Sequence, residues 1–255
     1  MNIKSVLFII IILFCFALNY AEIRTIHVYV ALCDNVNQNI VPVPAKFGNG
    51  QKTEENLYWG SAFGMRTYFR RSEEWTEIDL IKNPSNIILE RAVFKHKDSN
   101  VYLMADAYDG SEIKQTITDF FHACSGTLQT SVNIDSISLD FAGKADLIAY
   151  IGHDELMDFN LDLDITPDNP QDKDAIILSC ISKTFFASNL KKTGAKPLLW
   201  TTGLMAPEAY TIKAALNGWV LNENNEQIRE RAVQAYNNYQ HCGINAARNL
   251  LVTGW

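Results

Sequence analysis

The sequence predicts an α/β protein built on an open, mainly parallel sheet with helices on both faces. Continuous apolar runs rather than alternating ones predict the strands, because strands buried on both faces of a parallel sheet have this pattern. Amphipathic helical patterns fall between several of the runs, and strand–helix alternation favours right-handed parallel connections. The predicted strands are Ile26–Leu32, Val101–Ala105, Leu147–Ile151, Ala175–Leu178 and Pro197–Trp200.

Three segments have the pattern of helices. Ser111 is a suitable cap for the first, whose inward residues include Ile113, Ile117 and two phenylalanines. Pro207 suits the first turn of the second helix, and Asn217-Gly218 is expected to end it. The third is predicted as one helix over residues 226–251.

Composition indicates an ordinary globular protein. The chain has 255 residues, of which 47% are apolar and 20% charged, so it can bury a large core. It contains no internal repeat or low-complexity linker, and residues 22–255 are therefore predicted to form a single domain. The net charge is −7, and basic residues are not clustered. We therefore expect neither a nucleic-acid partner nor an anionic membrane partner.

The first 21 residues have the layout of a secretory signal peptide. Lys4 precedes an apolar run over residues 6–18, and Asn19-Tyr20-Ala21 offers a small residue at the cleavage point. The run is short for a bilayer span, although an uncleaved anchor remains the alternative. We expect an exported protein, periplasmic or secreted, that is not held at the membrane after cleavage.

Four cysteines follow the predicted leader. In an oxidising compartment they can form two disulfides, and the sequence leaves all three pairings open. These cysteines are Cys33, Cys124, Cys180 and Cys242.

Polar residues follow each predicted strand, at the edge where open α/β sheets bind ligands. The strand ends are Cys33-Asp34, then Asp106 with Asp109, Gly152-His153-Asp154, Ser179-Cys180 and Thr201-Thr202-Gly203. No glycine-rich phosphate loop follows the first strand, which disfavours nucleotide binding.

His153 and Cys180 are the candidate catalytic pair. A free thiol has a pKa of about 8.5 and needs a base or a positive field to become nucleophilic. An adjacent imidazole supplies that base and can then protonate a leaving amine. The alternative is structural, since a cysteine that ends an apolar strand is often a small core residue and a histidine is often only hydrogen-bonded.

Two motifs resemble those of the caspase-like cysteine peptidases. Leu-Ile-Ala-Tyr-Ile-Gly-His-Asp at 147–154 is similar to their strand-then-histidine motif, and Ala-Ile-Ile-Leu-Ser-Cys-Ile-Ser at 175–182 is similar to their nucleophile strand. The histidine precedes the cysteine, as in the family, and the likeness extends over about residues 24–220. It is nearest to the bacterial metacaspase and CHAT-type relatives. It implies a caspase–hemoglobinase-like three-layer sandwich.

The resemblance also implies a function. The protein is expected to hydrolyse peptide bonds in a peptide or protein substrate without a cofactor or metal, with Cys180 as nucleophile and His153 as general base and acid. The backbone N–H groups of Cys180 and Asp154 are expected to form the oxyanion site. The sequence departs from the family in having Asp154 where a glycine is usual, and Ile181-Ser182-Lys183 in place of a glycine-containing turn. The interval of 27 residues between histidine and cysteine is also short.

Several alternatives remain. Cys33 is a rival for the reactive thiol or a disulfide partner of Cys180. Lys46 and Arg66 lie where the family often places a basic specificity residue, although solvated surface charges are the simpler interpretation. The aspartates between residues 158 and 174 favour a solvated acidic loop over a Ca²⁺ site, because Pro167 and Lys173 replace EF-hand residues. The rival functions are a non-catalytic secreted binding protein of the same fold and another cysteine-dependent acyl or amide hydrolase.

Overall fold

An eight-stranded mixed sheet, mostly parallel, forms the centre of the computed structural model, which describes residues 22–166 and 173–255. The strands follow the order β10-β9-β8-β7-β1-β4-β3-β2, and β5 pairs with β6 in a separate hairpin. The five central strands, from β9 to β4, are mutually parallel, whereas β10 pairs antiparallel with β9, β3 with β4 and β2 with β3. The strands are β1 Arg24–Ala31, β2 Trp75–Lys82, β3 Ile88–His96, β4 Val101–Tyr108, β5 Gln129–Ile134, β6 Ile137–Ala142, β7 Leu147–Ile151, β8 Asp174–Leu178, β9 Lys196–Thr201 and β10 Leu251–Val252.

Helices cover both faces of this sheet. Successive side chains of a strand point to opposite faces, so the buried residues of β1 contribute to two apolar clusters. One face packs against α1, α4 and α5, and the other packs against α2 and α3. The β5–β6 hairpin covers part of the second face, over β3 and β4. The helices are α1 Met65–Arg70, α2 Ile113–Ser125, α3 Ser182–Thr193, α4 Ala209–Val220, α5 Asn225–Gln240 and α6 Ile244–Leu250.

The five predicted strands are confirmed as β1, β4, β7, β8 and β9. Their side chains are almost entirely buried, which is why they form continuous apolar runs in the sequence. The other five strands, β2, β3, β5, β6 and β10, were not predicted. In β2, half-buried and exposed residues are mixed, and charged residues interrupt its apolar pattern.

The predicted boundaries of two helices are wrong. Asp109, rather than Ser111, caps the first: its carboxylate accepts the backbone N–H of Ser111 and begins a 3-10 turn that leads into α2. Pro207 lies before α4 rather than in its first turn, and Asn217-Gly218 does not end that helix, which continues to Val220. The buried side chain of Trp219 packs against the core and accounts for the added turn.

The third predicted helix is two helices. The chain turns between α5 and α6, where His241 has a left-handed conformation with φ of 51° and Gly243 has φ of 90°. Glycine adopts such angles without steric cost. The apolar periodicity continues across this turn and conceals it in the sequence.

The predicted leader, residues 1–21, lies outside the described residues. Among the helices at 22–166 and 173–255, none is both long enough and apolar enough to cross a bilayer.

Candidate functional site

The central position of β1 determines where a crevice can form. The parallel strands follow the order β4-β1-β7-β8-β9, so the chain moves to one side of β1 for β4 and then crosses to the other side for β7. Ligands of open α/β sheets bind beyond the carboxyl ends of strands at such a reversal. The carboxyl ends of β1, β7, β8 and β9 therefore lie in a row at the candidate site.

His153 and Cys180 follow two neighbouring strands in matching positions. Ile151 of β7 pairs with Leu178 of β8 in parallel register, and each candidate residue lies two positions beyond its strand. Both therefore lie at the same sheet edge. Within the described residues, no hydrogen bond or ion pair joins their side chains, and each has a different partner.

The His153 ring is mostly buried, with 15% of the side chain exposed, and its Nε2 lies 3.7 Å from Oδ2 of Asp158. Burial lowers the pKa of His153, and the nearby Asp158 carboxylate partly opposes that shift. The Tyr150 hydroxyl donates to the backbone carbonyl of His153 over 2.7 Å and fixes the turn. A neutral imidazole near pH 7 follows from the lowered pKa, and this is the form that accepts a proton.

Gly152 allows this strand end to approach β1 closely. A Cβ atom at this position would lie 2.9 Å from the Cβ of Ala31 and 2.9 Å from the Tyr150 hydroxyl. Both distances are shorter than the ordinary van der Waals separation between a carbon atom and a non-bonded heavy atom. The glycine before the histidine, which belongs to the motif in the sequence, therefore has a steric role here.

The Cys180 thiol is half-buried beside the loop that follows β9. The backbone N–H of Met205 donates to Sγ over 3.4 Å, and Sγ lies 3.7 Å from the carbonyl oxygen of the same residue. An N–H donor directed at sulfur becomes a stronger, charge-assisted hydrogen bond when the sulfur is a thiolate. The loop after β9 therefore contributes a group that suits a reactive cysteine.

A strained turn joins Cys180 to helix α3. Ile181 has φ of 50° and ψ of 29°, a left-handed conformation that is rare for a β-branched residue. The next residue anchors the turn: the Ser182 hydroxyl donates to the Ile177 carbonyl, and the backbone N–H of Thr201 donates to that hydroxyl. Strain of this kind is often found at functional sites, and sharp strand-to-helix turns present the nucleophile in other hydrolases.

The Asp154 carboxyl group is buried. Its Oδ1 accepts the backbone N–H of Leu156 over 3.1 Å, and Oδ2 has no partner among the described residues. Desolvation raises the pKa of this group to about 7. In the described part of the chain, neither the backbone N–H of Asp154 nor that of Cys180 donates a hydrogen bond. Cys180 is partly exposed, whereas Asp154 is fully buried, so its N–H is not exposed at the surface in this structure.

Cys33 is buried at the end of β1, and desolvation raises the pKa of its thiol to about 11. The Asn56 side chain accepts from the backbone N–H of Cys33 and donates to its carbonyl, which holds this strand end in place. Burial and a raised pKa both lower the rate at which a thiol reacts with an electrophile. All four cysteines are free, so this structure contains neither of the two disulfides considered above.

The acidic segment after His153 is only partly described, because residues 167–172 lie outside the structure's described ranges. Asp162 pairs with Lys192 over 3.0 Å, and Asp174 accepts the indole N–H of Trp219. Across residues 22–166 and 173–255, no three histidine, cysteine or acidic side chains are grouped so that they can hold a metal ion.

The two basic specificity candidates have other contacts. Arg66 pairs with Glu77 of β2 and Glu90 of β3, which are outside the row of parallel strand ends. The Lys46 ammonium lies 4.7 Å from the centre of the Phe47 ring. Neither contact directs a free positive charge at His153 or Cys180.

Four residues that contact or support the pair were not predicted from the sequence. Asp158 follows the histidine closely and was noted only as part of an acidic loop. Ser182 and Thr201 hold the turn after the cysteine, and Met205 contacts Sγ. Only Asp158 had a sequence signal, a carboxylate five residues from a histidine, because the other contacts join segments that are distant in the chain.

Five surface cavities formed by the described residues have volumes between 250 and 560 Å³. Neither His153 nor Cys180 lines any of them. The candidate site is thus an edge of the sheet bordered by loops, outside these cavities.

Comparison with known proteins adds no assignment, since no protein-family model, curated protein or solved structure matches this chain. The fold and the site define an α/β protein with a cysteine and a histidine on neighbouring strand ends.

Proposed function

We propose that this protein is a caspase-like cysteine peptidase in which Cys180 is the nucleophile and His153 the general base and acid. The observation that carries the proposal is the parallel register of β7 and β8, which sets both residues two positions beyond paired strand ends. The strained turn at Ile181 supports it further.

The proposed reaction begins with proton transfer from the Cys180 thiol to His153. Nδ1 is the accepting atom, because Nε2 faces Asp158. The thiolate attacks the carbonyl carbon of a peptide bond, and the backbone N–H of Cys180 stabilises the oxyanion. The backbone N–H of Asp154 joins it only after a rearrangement that uncovers this buried residue. The C–N bond breaks as His153 protonates the leaving amine, which leaves a thioester on Cys180. Water then hydrolyses the thioester, with His153 removing its proton and the thiol regaining it.

Asp154 is compatible with this scheme. A carboxylate beside a developing oxyanion opposes the reaction, but this side chain is buried against the Leu156 N–H. With a pKa near 7 it is also largely neutral below that pH. The backbone N–H that the reaction uses belongs to the same residue but is separate from the carboxyl group.

The separate contacts of the two side chains must change during the reaction. Sγ has to leave Met205 and turn towards His153, a side-chain rotation of the kind that substrate binding often brings about. Substitution of Asp158 should lower the pKa of His153 further, since Asp158 raises it.

The test is a peptide-library digestion analysed by mass spectrometry. Wild type should cleave a subset of peptides, and Cys180→Ala and His153→Ala should each remove that cleavage. Cys242→Ala is the matched control, because its exposed thiol lies outside the proposed site. Cleavage that persists in Cys180→Ala, or that is absent in wild type after limited proteolysis has released any latent form, contradicts the peptidase assignment.

A non-catalytic binding protein is the second candidate, and the separate partners of Cys180 and His153 favour it. On this proposal the sheet edge holds a polypeptide without cleaving it. Cys180→Ala would then bind the same polypeptides as wild type, and wild type would leave them intact.

A further inference from the structure

The most exposed large apolar side chains of the described residues lie in loops at the candidate site. Val41 is 88% exposed, Val36 is 86% exposed and Leu204 is 73% exposed. Met157, in the turn after His153, is 42% exposed. Apolar side chains that border a binding site contribute hydrophobic free energy when a bound partner covers them.

The loops that carry the two valines and Leu204 follow the strands on either side of β7 and β8, the strands that lead into the proposed catalytic pair. Val36 and Val41 follow β1, and Leu204 follows β9, whereas His153 and Cys180 follow the two strands between them. The Asn39 side chain lies 3.5 Å from Asp158, so the loop after β1 reaches the loop after His153. Met205, beside Leu204, contacts Cys180 directly.

Several charged groups near the apolar side chains already have partners. The Asp34 carboxylate accepts the backbone N–H groups of Val36 and Asn37. Asp158 faces His153, and Glu208 accepts the hydroxyl of Tyr210. These charges are therefore engaged within the protein, while the apolar side chains beside them are free.

We propose that this edge binds an extended polypeptide segment with large apolar side chains on both sides of the bond to be cleaved. The inference rests on the proposed function and names its substrate class. Neighbouring strands are about 4.8 Å apart, so the ends of β1 and β9 are separated by roughly 14 Å. An extended chain rises about 3.3 Å per residue, so roughly four residues cross this distance. The segment crosses the strand ends with its central bond at Cys180 and its apolar side chains at Val41 and Leu204.

The experiment measures binding to the Cys180→Ala protein, in which cleavage is removed. The probe is a fluorescent octapeptide with leucine or valine at four central positions, and its control has serine at those positions. Leu204→Asp and Val41→Asp, each combined with Cys180→Ala, should weaken binding of the apolar probe at least tenfold. Leu221→Asp is the matched control, because Leu221 is 62% exposed but lies at the end of α4.

Equal affinity for the two peptides, or equal loss in the Leu204 and Leu221 variants, overturns the inference. So does a wild-type dimer that Leu204→Asp converts to monomer, because a second copy of the chain would then occupy the surface. Turnover by the wild type distinguishes this failure from failure of the proposed function. Cys180-dependent cleavage with no preference for apolar residues refutes only the proposed substrate class. Selective binding of the apolar peptide without cleavage refutes only the proposed hydrolysis.

Discussion

At the scale of single residues, the four thiols should differ in reactivity. Iodoacetamide should label Cys180 faster than Cys33, because Cys33 is buried and its pKa is raised to about 11. His153→Ala should slow labelling of Cys180 near neutral pH. The exposed Cys242 is the internal control, and its labelling rate should not respond to that substitution. Peptide mass spectrometry over a time course measures each site.

Two results would contradict this prediction. Equal labelling rates at Cys33 and Cys180 would mean that burial does not protect the Cys33 thiol. An unchanged rate at Cys180 in His153→Ala would mean that the histidine does not act on the thiol, and would favour the binding-protein proposal.

Asp154 gives a prediction for stability against pH. Its pKa is raised from 3.8 to about 7, so the folded state favours the protonated form. The resulting stability is fully present below pH 4 and is lost as the pH rises towards 7. Asp154→Asn removes this titration while keeping an oxygen for the Leu156 N–H. The advantage of the variant over wild type should therefore grow with pH, by roughly 4 kcal/mol between pH 4 and pH 8.

Urea denaturation of both proteins at several pH values measures this difference. Glu155 has a pKa raised to about 7 as well, but it is present in both proteins and its effect cancels in the comparison. A constant difference between the variant and wild type across this range would show that Asp154 is not buried as a neutral acid.

At the scale of elements, the strand-to-helix turn after Cys180 has its own test. Ile181→Gly and Ile181→Ala delete nearly the same side chain, but only glycine adopts the left-handed conformation without strain. The glycine variant should be the more stable by about 1 kcal/mol. At most positions the order is reversed, so a more stable alanine variant would mean that the turn is not left-handed. Thermal or urea unfolding provides the measurement.

The elements that could be predicted from the sequence are those whose side chains are buried on both faces of the sheet. Strands β7 and β8 are buried on both faces, and their apolar runs could be identified without knowledge of their partners. Strand β2 could not be identified, because its exposed residues and its pairing with β3 depend on tertiary structure. The break at His241 was missed because the apolar pattern of α5 continues into α6.

The candidate site was predictable to a similar extent. His153 and Cys180 follow apolar strands, so their position at one sheet edge follows from the strand pattern alone. The orientation of their side chains does not, because Asp158 and Met205 hold them through contacts made only in the folded chain. The burial of Asp154 could not be predicted from the sequence either, since a charged residue in a loop after a strand is usually solvated.

At the scale of the whole molecule, export remains a prediction. The leader pattern predicts that the mature chain begins near Glu22, after Asn19-Tyr20-Ala21. Amino-terminal sequencing of protein from the native host measures this directly. Recovery of an intact Met1 in a membrane fraction would instead support the uncleaved anchor.

The position of β1 at the centre of the sheet has a consequence for how the chain folds. β1 is the earliest strand in the described part of the chain, but its neighbours, β4 and β7, begin only at residues 101 and 147. Closing such long loops is slow, because the chain loses conformational entropy before the stabilising contacts between the strands have formed. Until these contacts form, β1 is an exposed apolar segment with both of its strand edges unpaired, and such a segment favours aggregation. Substitutions that lower the apolar character of β1 should therefore trade native stability for a higher yield on refolding.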